Sequence, residues 1–393
     1  MNAKALISRT VWTLSLVSMF TDISSEMLYP VMPVFLKSIG FSVLLIGLLE
    51  GLAEATAGLS KGYFGKLSDM KGKRLPFVQF GYALSALSKP LMAITVYPLW
   101  IFFARTLDRL GKGIRTGARD AILSAEATPE SKARVFGFHR ALDTVGAFLG
   151  PSVALLFLYF YPGHYKTLFL VAFVPGLASV FLTLLLREPP RVVEPGSNAV
   201  SFFSFVGYWK IAPRSYRRLV GGLLVFTLIN SSDVFLLLKV KEAGLSDTQV
   251  IGVYIFYNLV YSLFAYPAGM LADRWGLRKT LALGLLIFAG VYLGMAIHGG
   301  TVWFAFLFFL YGVYAACTEG ISKAWITNIS KPKDTATAIG TYTAFQSICT
   351  LIASAAAGWI WYSWNSATLF LLSGAVALLV SLYFLRAKIG SLG

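Results

Sequence analysis

Carboxylates occur four residues apart within two apolar stretches near the start of the sequence. Asp22 and Glu26 form one pair, and Glu50 and Glu54 form the next. Residues at positions i and i+4 lie on one face of a helix, so each pair would present two carboxylates to the same neighbour. An ionisable group at the centre of a bilayer costs about 2.5–3.5 kcal/mol on insertion scales and normally faces a cavity or a charged partner. This setting favours proton binding or ion pairing.

A later apolar stretch, residues 98–118, carries mostly basic charges. Its charged residues recur every three or four positions, which predicts one charged helix face: Arg105, Asp108, Arg109, Lys112 and Arg115. The stretch after it holds His139 and Asp143, again four residues apart. We predict that carboxylates of the neighbouring helices form ion pairs with this basic face.

Proton coupling is the chemistry that such an arrangement makes possible. A carboxylate beside an arginine stays ionised, and its proton affinity changes when a conformational change removes that partner. We predict that Asp22 or Glu26 carries the proton, that Arg109 is the partner exchanged, and that Asp143 is the next candidate. In the alternative, the same charges form a purely structural lock between helices.

The second half of the sequence combines fewer intramembrane charges with many aromatic residues. Its polar candidates for a cavity are Asp233, Asn258, Glu319 and Gln346. Tyr257 and Tyr311 belong to two series of tyrosines at helical spacing. Where such rings face a cavity, this half supplies a surface for an amphipathic organic substrate. In the alternative, the rings pack in the core or face lipid.

The composition shows what kind of protein must position these residues. Of the 393 residues, 57% are hydrophobic and 13% are charged, and the mean hydropathy is +0.70. A soluble domain carries about 25% charged residues. A soluble enzyme, a disordered chain and a disulfide-rich secreted domain are therefore excluded. We predict an all-α integral membrane protein that crosses the bilayer many times.

A bilayer-spanning helix needs about 20 mostly apolar residues, and this criterion predicts twelve transmembrane helices. They cover residues 11–36, 43–64, 76–96, 98–118, 135–160, 166–186, 219–240, 248–271, 279–298, 301–326, 337–360 and 364–385. The long connection after the sixth helix divides the chain into an N-terminal six-helix bundle at 1–186, a cytoplasmic linker at 187–218 and a C-terminal six-helix bundle at 219–393. No cleavable signal peptide is expected, because the first apolar stretch is too long.

The basic residues indicate how the chain is oriented. With the N-terminus placed in the cytoplasm, 23 of the 34 Lys and Arg residues fall on the cytoplasmic side, four on the opposite side and seven within spans. The positive-inside rule therefore predicts a multi-pass protein of the cytoplasmic (inner) membrane with both termini in the cytoplasm. The net charge of +16 is explained by this bias, so no nucleic-acid partner is expected.

Three sequence matches, in order and at offsets of 204–207 residues, relate the two halves. Phe20-Thr21 and Ser24-Ser25-Glu26 match Phe226-Thr227 and Ser231-Ser232-Asp233, residues 65–74 match 269–279, and Gly113-Ile114 matches Gly320-Ile321. Repeats of this kind predict two pseudo-symmetric six-helix bundles with a cavity between them near the bilayer midplane. Rocking of the bundles about that cavity would give alternating access.

The loops after the second and eighth helices resemble a signature of the major facilitator superfamily, Gly-x-Leu-x-Asp-x-x-Gly-x-(Arg/Lys)-(Arg/Lys). The matching residues are Gly65, Asp69, Gly72 and Arg74 in one loop and Gly269, Asp273, Gly276 and Arg278 in the other. The resemblance implies the superfamily fold and secondary transport. Because each loop has an aspartate at a helix end and glycines for a tight turn, we predict that the loops are conformational latches; in the alternative they are substrate sites.

Two further motifs are similar to those of the same superfamily. Arg109 and Gly113 resemble its span-four motif, with Lys112 where glutamine is often found. Residues 146–151 resemble its span-five motif, which is associated with antiporters, although the usual trailing glycines are replaced by residues 152–154. Residues 24–30 and 108–115 look like a subgroup of bacterial permeases that includes drug, metal-resistance and siderophore-related carriers. The resemblance therefore leaves the substrate open.

Other protein classes find no support in the sequence. It contains no His-Glu-x-x-His zinc-protease pattern and no phosphate-binding loop. We therefore predict a monomeric transporter, not an enzyme, with a small-molecule substrate and the lipid bilayer as partners. No cofactor and no resident metal are expected, and a proton gradient is the expected energy source. Export of amphipathic organic molecules is favoured. In the alternative, the transported solute is a metal ion, a metal–siderophore complex or an organic anion. A channel, scramblase or receptor is the third alternative.

Overall fold

A computed structural model of the protein describes residues 7–29, 31–32, 35–36, 39–41, 43–188, 203–245, 247–297, 299–387 and 389. Within these ranges all regular secondary structure is helical, which confirms the predicted all-α class. The long helices of the first half are α1 Arg9–Glu26, α2 Val43–Lys71, α3 Leu75–Ile94, α4 Pro98–Ala125, α5 Lys132–Phe160 and α6 Tyr165–Thr183. Those of the second half are α7 Arg214–Thr227, α8 Val234–Glu242, α9 Asp247–Trp275, α10 Leu277–Met295, α11 Thr301–Asn328, α12 Thr335–Ser363 and α13 Ser366–Arg386.

These helices overlap the predicted spans throughout, with α7 and α8 sharing the seventh. By length and composition, seven stretches of the described residues can cross a membrane: α5, α6, α10, α11, α13, residues 252–275 of α9, and residues 332–363 around α12. The remaining crossings, and the total of twelve, stay a prediction.

The first helix of each half stops inside its predicted span. α1 ends at Glu26, close before Pro30 and Pro33, and proline removes a backbone donor and disfavours helix in the residue before it. α7 ends at Thr227, and α8 begins only after Asp233. Both predicted spans are continuous, because the breaks leave the mean hydropathy of each stretch almost unchanged. The two carboxylates at the corresponding positions of the repeat, Glu26 and Asp233, therefore lie at helix ends.

The chain divides into two compact units. The first contains the residues up to Glu126, Leu142–Ile211 and Lys331–Ala344, and the second contains Ala127–Ala141, Ala212–Ser330 and the residues from Phe345 onward. The predicted bundles follow the order of the chain, whereas the packing assigns the beginning of α5 to the second unit and the beginning of α12 to the first.

Glycines account for these two packing assignments. In the first unit, a Cβ atom added to Gly65 of α2 would lie 2.4 Å from the carbonyl oxygen of Ala336 in α12. In the second unit, a Cβ atom added to Gly269 of α9 would lie 2.4 Å from the carbonyl oxygen of Ala133 in α5. Real Cβ atoms do not approach a backbone oxygen so closely, so only glycine permits either contact. The two contacts are related by offsets of 203 and 204 residues, so the repeat seen in the sequence extends to the packing.

Part of the predicted linker packs on the first unit. A 3₁₀ turn at Ser204–Gly207 continues into a helical turn at Tyr208–Ile211. The ring of Phe205 lies against Gly62 of α2, and its carbonyl oxygen accepts a hydrogen bond from Thr341 Oγ1 of α12 at 3.3 Å. Phe205 is therefore an apolar contact between the linker, α2 and the beginning of α12.

Candidate functional site

Helices α1 and α5 are in direct backbone contact in the first unit. A Cβ atom on Gly146 of α5 would lie 2.5 Å from the carbonyl oxygen of Met19 and 2.9 Å from the Cβ atom of Asp22. One on Gly150 would lie 2.7 Å from the carbonyl oxygen of Ile23. Small residues four positions apart let membrane helices approach this closely. The predicted span-five motif thus serves as the surface that holds α1 against α5.

This contact brings two carboxyl groups together. The side chains of Asp22 and Asp143 are close enough to interact electrostatically. Ser18 Oγ donates to Asp143 Oδ1 at 2.5 Å, and Arg119 donates to Ser18 Oγ at 3.0 Å. Each of two neighbouring carboxylates disfavours ionisation of the other, so the two groups can share one proton. Lys112 also acts electrostatically on Asp22. The pair, of which Asp143 is buried and Asp22 partly buried, is a site that can bind and release a proton.

The other members of the predicted coupling set interact with different partners. Glu26, one helical turn from Asp22, contributes a like charge to it. Arg109 acts electrostatically on Asp108. The exchange of Arg109 between partners, with Asp22 or Glu26 as proton carrier, stays a prediction. The basic residue whose charge acts on Asp22 is Lys112, one turn further along α4.

An ion-pair cluster joins α3 to α4. Lys89 Nζ lies 2.7 Å from Asp108 Oδ1 and 3.2 Å from Ser25 Oγ, and Arg105 lies 3.5 Å from Asp108 Oδ2. The side chains of Lys89, Arg105 and Asp108 are at most 4% exposed. Lys89 is not among the site residues predicted from the sequence. Its signal was a single lysine within an otherwise apolar stretch, the third predicted span.

Replacing Asp108 by Asn is expected to destabilise the protein strongly. The substitution leaves Lys89 and Arg105 buried without their carboxylate, and breaking a buried ion pair costs about 3–5 kcal/mol. Glu126→Gln is the control, because that carboxylate is exposed and accepts a hydrogen bond from Ser8, and substitutions at such surface positions change stability by about 0.5 kcal/mol or less. Unfolding of the purified proteins in detergent measures both effects. Equal losses in the two variants would contradict a buried lock at Asp108.

Arg115 turns towards α3. Its guanidinium carbon lies 4.5 Å from the ring centre of Tyr82, and its Nη1 donates to Ser85 Oγ at 2.6 Å. Gly81 and Gly111 bring the two helix backbones together, since a Cβ atom on Gly81 would lie 2.7 Å from the carbonyl oxygen of Gly111. Arg115 therefore contacts α3 through Tyr82 and Ser85.

The second unit holds a carboxylate surrounded by aromatic rings. Tyr311 donates to Asp233 Oδ1 at 2.6 Å, and Asn230 donates its amide to the hydroxyl of Tyr314 at 3.0 Å. The rings of Tyr257 and Tyr311 are 5.0 Å apart between centroids. Asn230 and Asp233, from the break between α7 and α8, thus form hydrogen bonds with tyrosines of α11, and a tyrosine of α9 packs against one of these rings. The sequence predicted Asp233, Tyr257 and Tyr311 as cavity candidates, and the structure brings them together.

Arg140 of α5 also belongs to the second unit. It forms an ion pair with Glu319 of α11 and donates to the hydroxyl of Tyr261 at 2.6 Å. The preceding residue, His139, is buried. This part of α5 therefore supplies an arginine to the series of tyrosines on α9.

The remaining cavity candidates are not part of these clusters as far as the structure describes them. Asn258 donates its amide to the carbonyl oxygen of Tyr254, one turn earlier in the same helix. Gln346 lies partly buried on α12. Glu50 and Glu54 are on α2, but their side chains lie outside the described part.

The first predicted latch loop binds the beginning of α12. Asp69 Oδ2 accepts hydrogen bonds from the backbone N–H and the hydroxyl of Thr337 at 2.7 and 2.9 Å, and Oδ1 pairs with Arg74 at 2.7 Å. Arg74 also donates to the carbonyl oxygen of Pro332 at 3.1 Å. A carboxylate at a helix N-terminus is stabilised by the helix dipole. Burial raises the pKa of Asp69 above its ordinary value, although Arg74 and Thr337 oppose this effect. Gly72 has a φ of +61°, which favours glycine.

The second loop repeats part of this arrangement at the beginning of α5. Asp273 Oδ2 accepts the backbone N–H of Arg134 at 3.2 Å and lies 3.4 Å from its side-chain Nε. Gly276 has a φ of +95°, as the tight turn between α9 and α10 requires. Arg278 differs from Arg74, because its guanidinium points to the carbonyl oxygen of Ala387 at 3.5 Å.

Comparison with known proteins places this architecture in a family. The family model described as Major Facilitator Superfamily matches residues 14–256 and 219–390. The chain is 34% identical over 361 residues to an uncharacterised MFS-type transporter of Methanocaldococcus jannaschii, with 90% of this chain and 89% of the relative covered.

More distant relatives carry functional names. A multi-drug resistance efflux pump PmrA homolog of Lactococcus lactis is 22% identical, with 87% of each chain covered. A staphyloferrin B transporter of Staphylococcus aureus is 24% identical, with 98% of this chain and 95% of the relative covered. The crystal structure of the human organic anion transporter MFSD10 is similar in fold, with a TM-score of 0.77, 15% identity and coverage of 96% and 99%. The chain therefore belongs to the Major Facilitator Superfamily, and it is a multi-pass membrane transporter and not an enzyme.

Proposed function

We propose that this chain is a proton-coupled secondary transporter that exports amphipathic organic molecules by alternating access. The observation that carries the proposal is the approach of Asp22 to Asp143, two carboxyl groups that can share one proton, on helices that are in backbone contact. The energy source is then a proton gradient, and no cofactor takes part. We place the monomer in the cytoplasmic membrane with both termini in the cytoplasm, as the distribution of basic residues indicates.

The carboxyl pair links proton binding to helix position. Loss of the shared proton leaves Asp22 and Asp143 both ionised while Gly146 holds their helices in backbone contact. Two like charges about 4 Å apart repel by about 4 kcal/mol at an effective dielectric constant of 20. This repulsion is relieved when α1 and α5 move or when a cation approaches. Lys112, already near Asp22, is the internal cation for that step.

Export of organic molecules is supported by two independent features. The relative named as a multi-drug resistance efflux pump covers most of the chain. The second unit also provides buried aromatic surface next to polar groups, as an amphipathic solute requires. The latch loops at Asp69 and Asp273 would then hold one conformation of the cycle.

A second candidate is a metal–siderophore complex or another organic anion. The basic residues of α4 and the relative named as a staphyloferrin B transporter favour it. The bare metal ion has less support. Among the described residues, no group of three His, Cys, Asp or Glu side chains is arranged to hold a metal, although the side chains of Glu50 and Glu54 lie outside that description.

Transport by the purified protein in liposomes distinguishes these candidates. Ethidium serves as the amphipathic probe and ferric citrate as the anionic iron chelate, with the membrane potential clamped and the vesicle lumen one pH unit more acidic. One proton exchanged per solute across one pH unit is equivalent to 1.36 kcal/mol, so ethidium is expected to accumulate about tenfold. Accumulation that is the same with and without the pH gradient would contradict proton coupling. Uptake of ferric citrate but not ethidium would favour the second candidate.

A further inference from the structure

We propose that Asp233 and the tyrosines around it form the binding site for the cationic group of an organic substrate. This inference specifies the substrate class of the proposed transporter and rests on that function. It concerns only residues of the second unit, and it commits to a singly charged organic cation such as a quaternary ammonium or phosphonium ion.

The first step is the position of the carboxylate. Asp233 directly precedes α8, where an aspartate side chain ordinarily caps the helix, but its side chain makes no capping hydrogen bond. It accepts instead from the hydroxyl of Tyr311 at 2.6 Å, across the unit on α11. The break between α7 and α8 thus serves to direct this carboxylate into the aromatic cluster.

The second step is the charge around it. Within the described part of the chain, no lysine or arginine forms an ion pair with Asp233. The groups that interact with it electrostatically are Tyr257, Tyr292, Tyr311 and Tyr314. Asp108 in the first unit shows the contrast, because a lysine and an arginine both pair with it. A carboxylate withdrawn from water is costly unless a cation compensates it, and the groups that the described structure places beside this partly buried carboxylate are tyrosine hydroxyls.

The third step is the aromatic surface. Tyr257, Tyr311 and Tyr314 are 7%, 3% and 5% exposed, so these rings face the interior of the unit and not lipid. The centroid of Tyr311 lies 5.0 Å from that of Tyr257 and 5.2 Å from that of Tyr314. Phe288 continues the series at 4.9 Å from Tyr314. Aromatic faces attract organic cations through their quadrupole, and rings beside a carboxylate are the usual means of binding a quaternary ammonium group.

The same features argue against other ligands. Ca²⁺ and Mg²⁺ take six or more oxygen ligands and Zn²⁺ takes three or four nitrogen, sulfur or carboxylate ligands, whereas this site offers one carboxylate among rings. An anion would meet an uncompensated negative charge. A large organic cation matches both the charge and the apolar walls.

The test is equilibrium binding of radiolabelled tetraphenylphosphonium to the purified protein in detergent, without a gradient. Tetraphenylborate, of the same shape and opposite charge, is the matched probe. The wild type is expected to bind the cation at least about tenfold more tightly than the anion. This comparison needs no variant, so it tests the inference even where a substitution impairs folding. Equal affinity for the two probes would overturn the inference.

Variants locate the site. Asp233→Asn is expected to weaken tetraphenylphosphonium binding by about tenfold or more, whereas Glu242→Gln removes another carboxylate of the second unit and leaves binding unchanged. Tyr257→Phe keeps the ring and is expected to keep the affinity within about threefold, whereas Tyr257→Leu loses about fivefold or more. Unchanged binding in Asp233→Asn would overturn the inference. If the wild-type protein shows proton-driven transport but does not bind the cation, this inference alone is overturned. If it binds the cation through Asp233 but shows no proton-driven transport, the proposed proton coupling alone is overturned.

Discussion

Asp22→Asn and Asp143→Asn are expected to abolish the response of transport to a pH gradient while leaving substrate exchange intact. Asparagine keeps the size of aspartate and can still form hydrogen bonds, but it cannot bind or release a proton at the pH values of the transport experiment. With no proton exchanged, a gradient of one pH unit no longer supplies 1.36 kcal/mol, so the expected tenfold accumulation falls to none. Exchange of labelled for unlabelled substrate, which needs no net proton movement, continues.

The measurement compares gradient-driven accumulation and counterflow in the same liposomes. Glu126→Gln is the control, because that carboxylate is exposed and accepts a hydrogen bond from Ser8 away from the Asp22–Asp143 pair. Glu26→Gln tests the neighbouring carboxylate that the sequence also indicates. Full gradient-driven accumulation in both Asp22→Asn and Asp143→Asn would refute the carboxyl pair as the proton site. Loss in Glu26→Gln alone would assign the proton to Glu26.

The sequence was sufficient to find the acidic residues but not their partners. Spacing along one helix identified Asp22, Glu26 and Asp143 as charged residues within apolar stretches. Which of them meet depends on the approach of α1 to α5, and that approach is determined by two glycines with no charge of their own. Lys89 was missed for the same reason, because a lone lysine gives no periodic signal until its helix is packed against Asp108.

The fold was predictable in its helices and less so in their ends. Long apolar stretches located the helices, because hydrophobic length is the dominant signal in a membrane protein. Hydropathy could not locate the end of α1 at Glu26 or the break before Asp233, since a few polar residues change a 20-residue average little. Hydropathy also could not predict which unit the beginnings of α5 and α12 pack on, because this packing follows from close contacts at Gly65 and Gly269. Gly65 and Gly269 correspond in the sequence repeat, and each of them makes the same kind of close contact with a backbone carbonyl oxygen.

Gly65→Ala and Gly269→Ala are both expected to slow transport about tenfold or more. In an exposed helix position alanine is more favourable than glycine by about 0.5–1 kcal/mol, so neither substitution is harmful by itself. At these two positions, however, the added methyl group would lie 2.4 Å from a backbone carbonyl oxygen, of Ala336 or Ala133 respectively. Relieving such overpacking costs about 1–3 kcal/mol, and the cost falls only on the conformation that contains the contact. The population of that conformation drops accordingly.

Gly290→Ala supplies the matched control for this last prediction. Gly290 lies within α10, and a Cβ atom there would meet no other atom within 4 Å. Its exchange rate is expected to equal that of the wild type, with slightly higher thermal stability from the helix propensity of alanine. The rate of substrate counterflow and the unfolding temperature of all three variants separate a latch from a packing defect. A defect lowers both quantities. If the contacts form a latch, substrate exchange is slower in Gly65→Ala and Gly269→Ala. The unfolding temperatures of both variants stay near that of the wild type, because the conformation that lacks the contact remains folded. Wild-type exchange in both variants would contradict a role for these two contacts in the transport cycle.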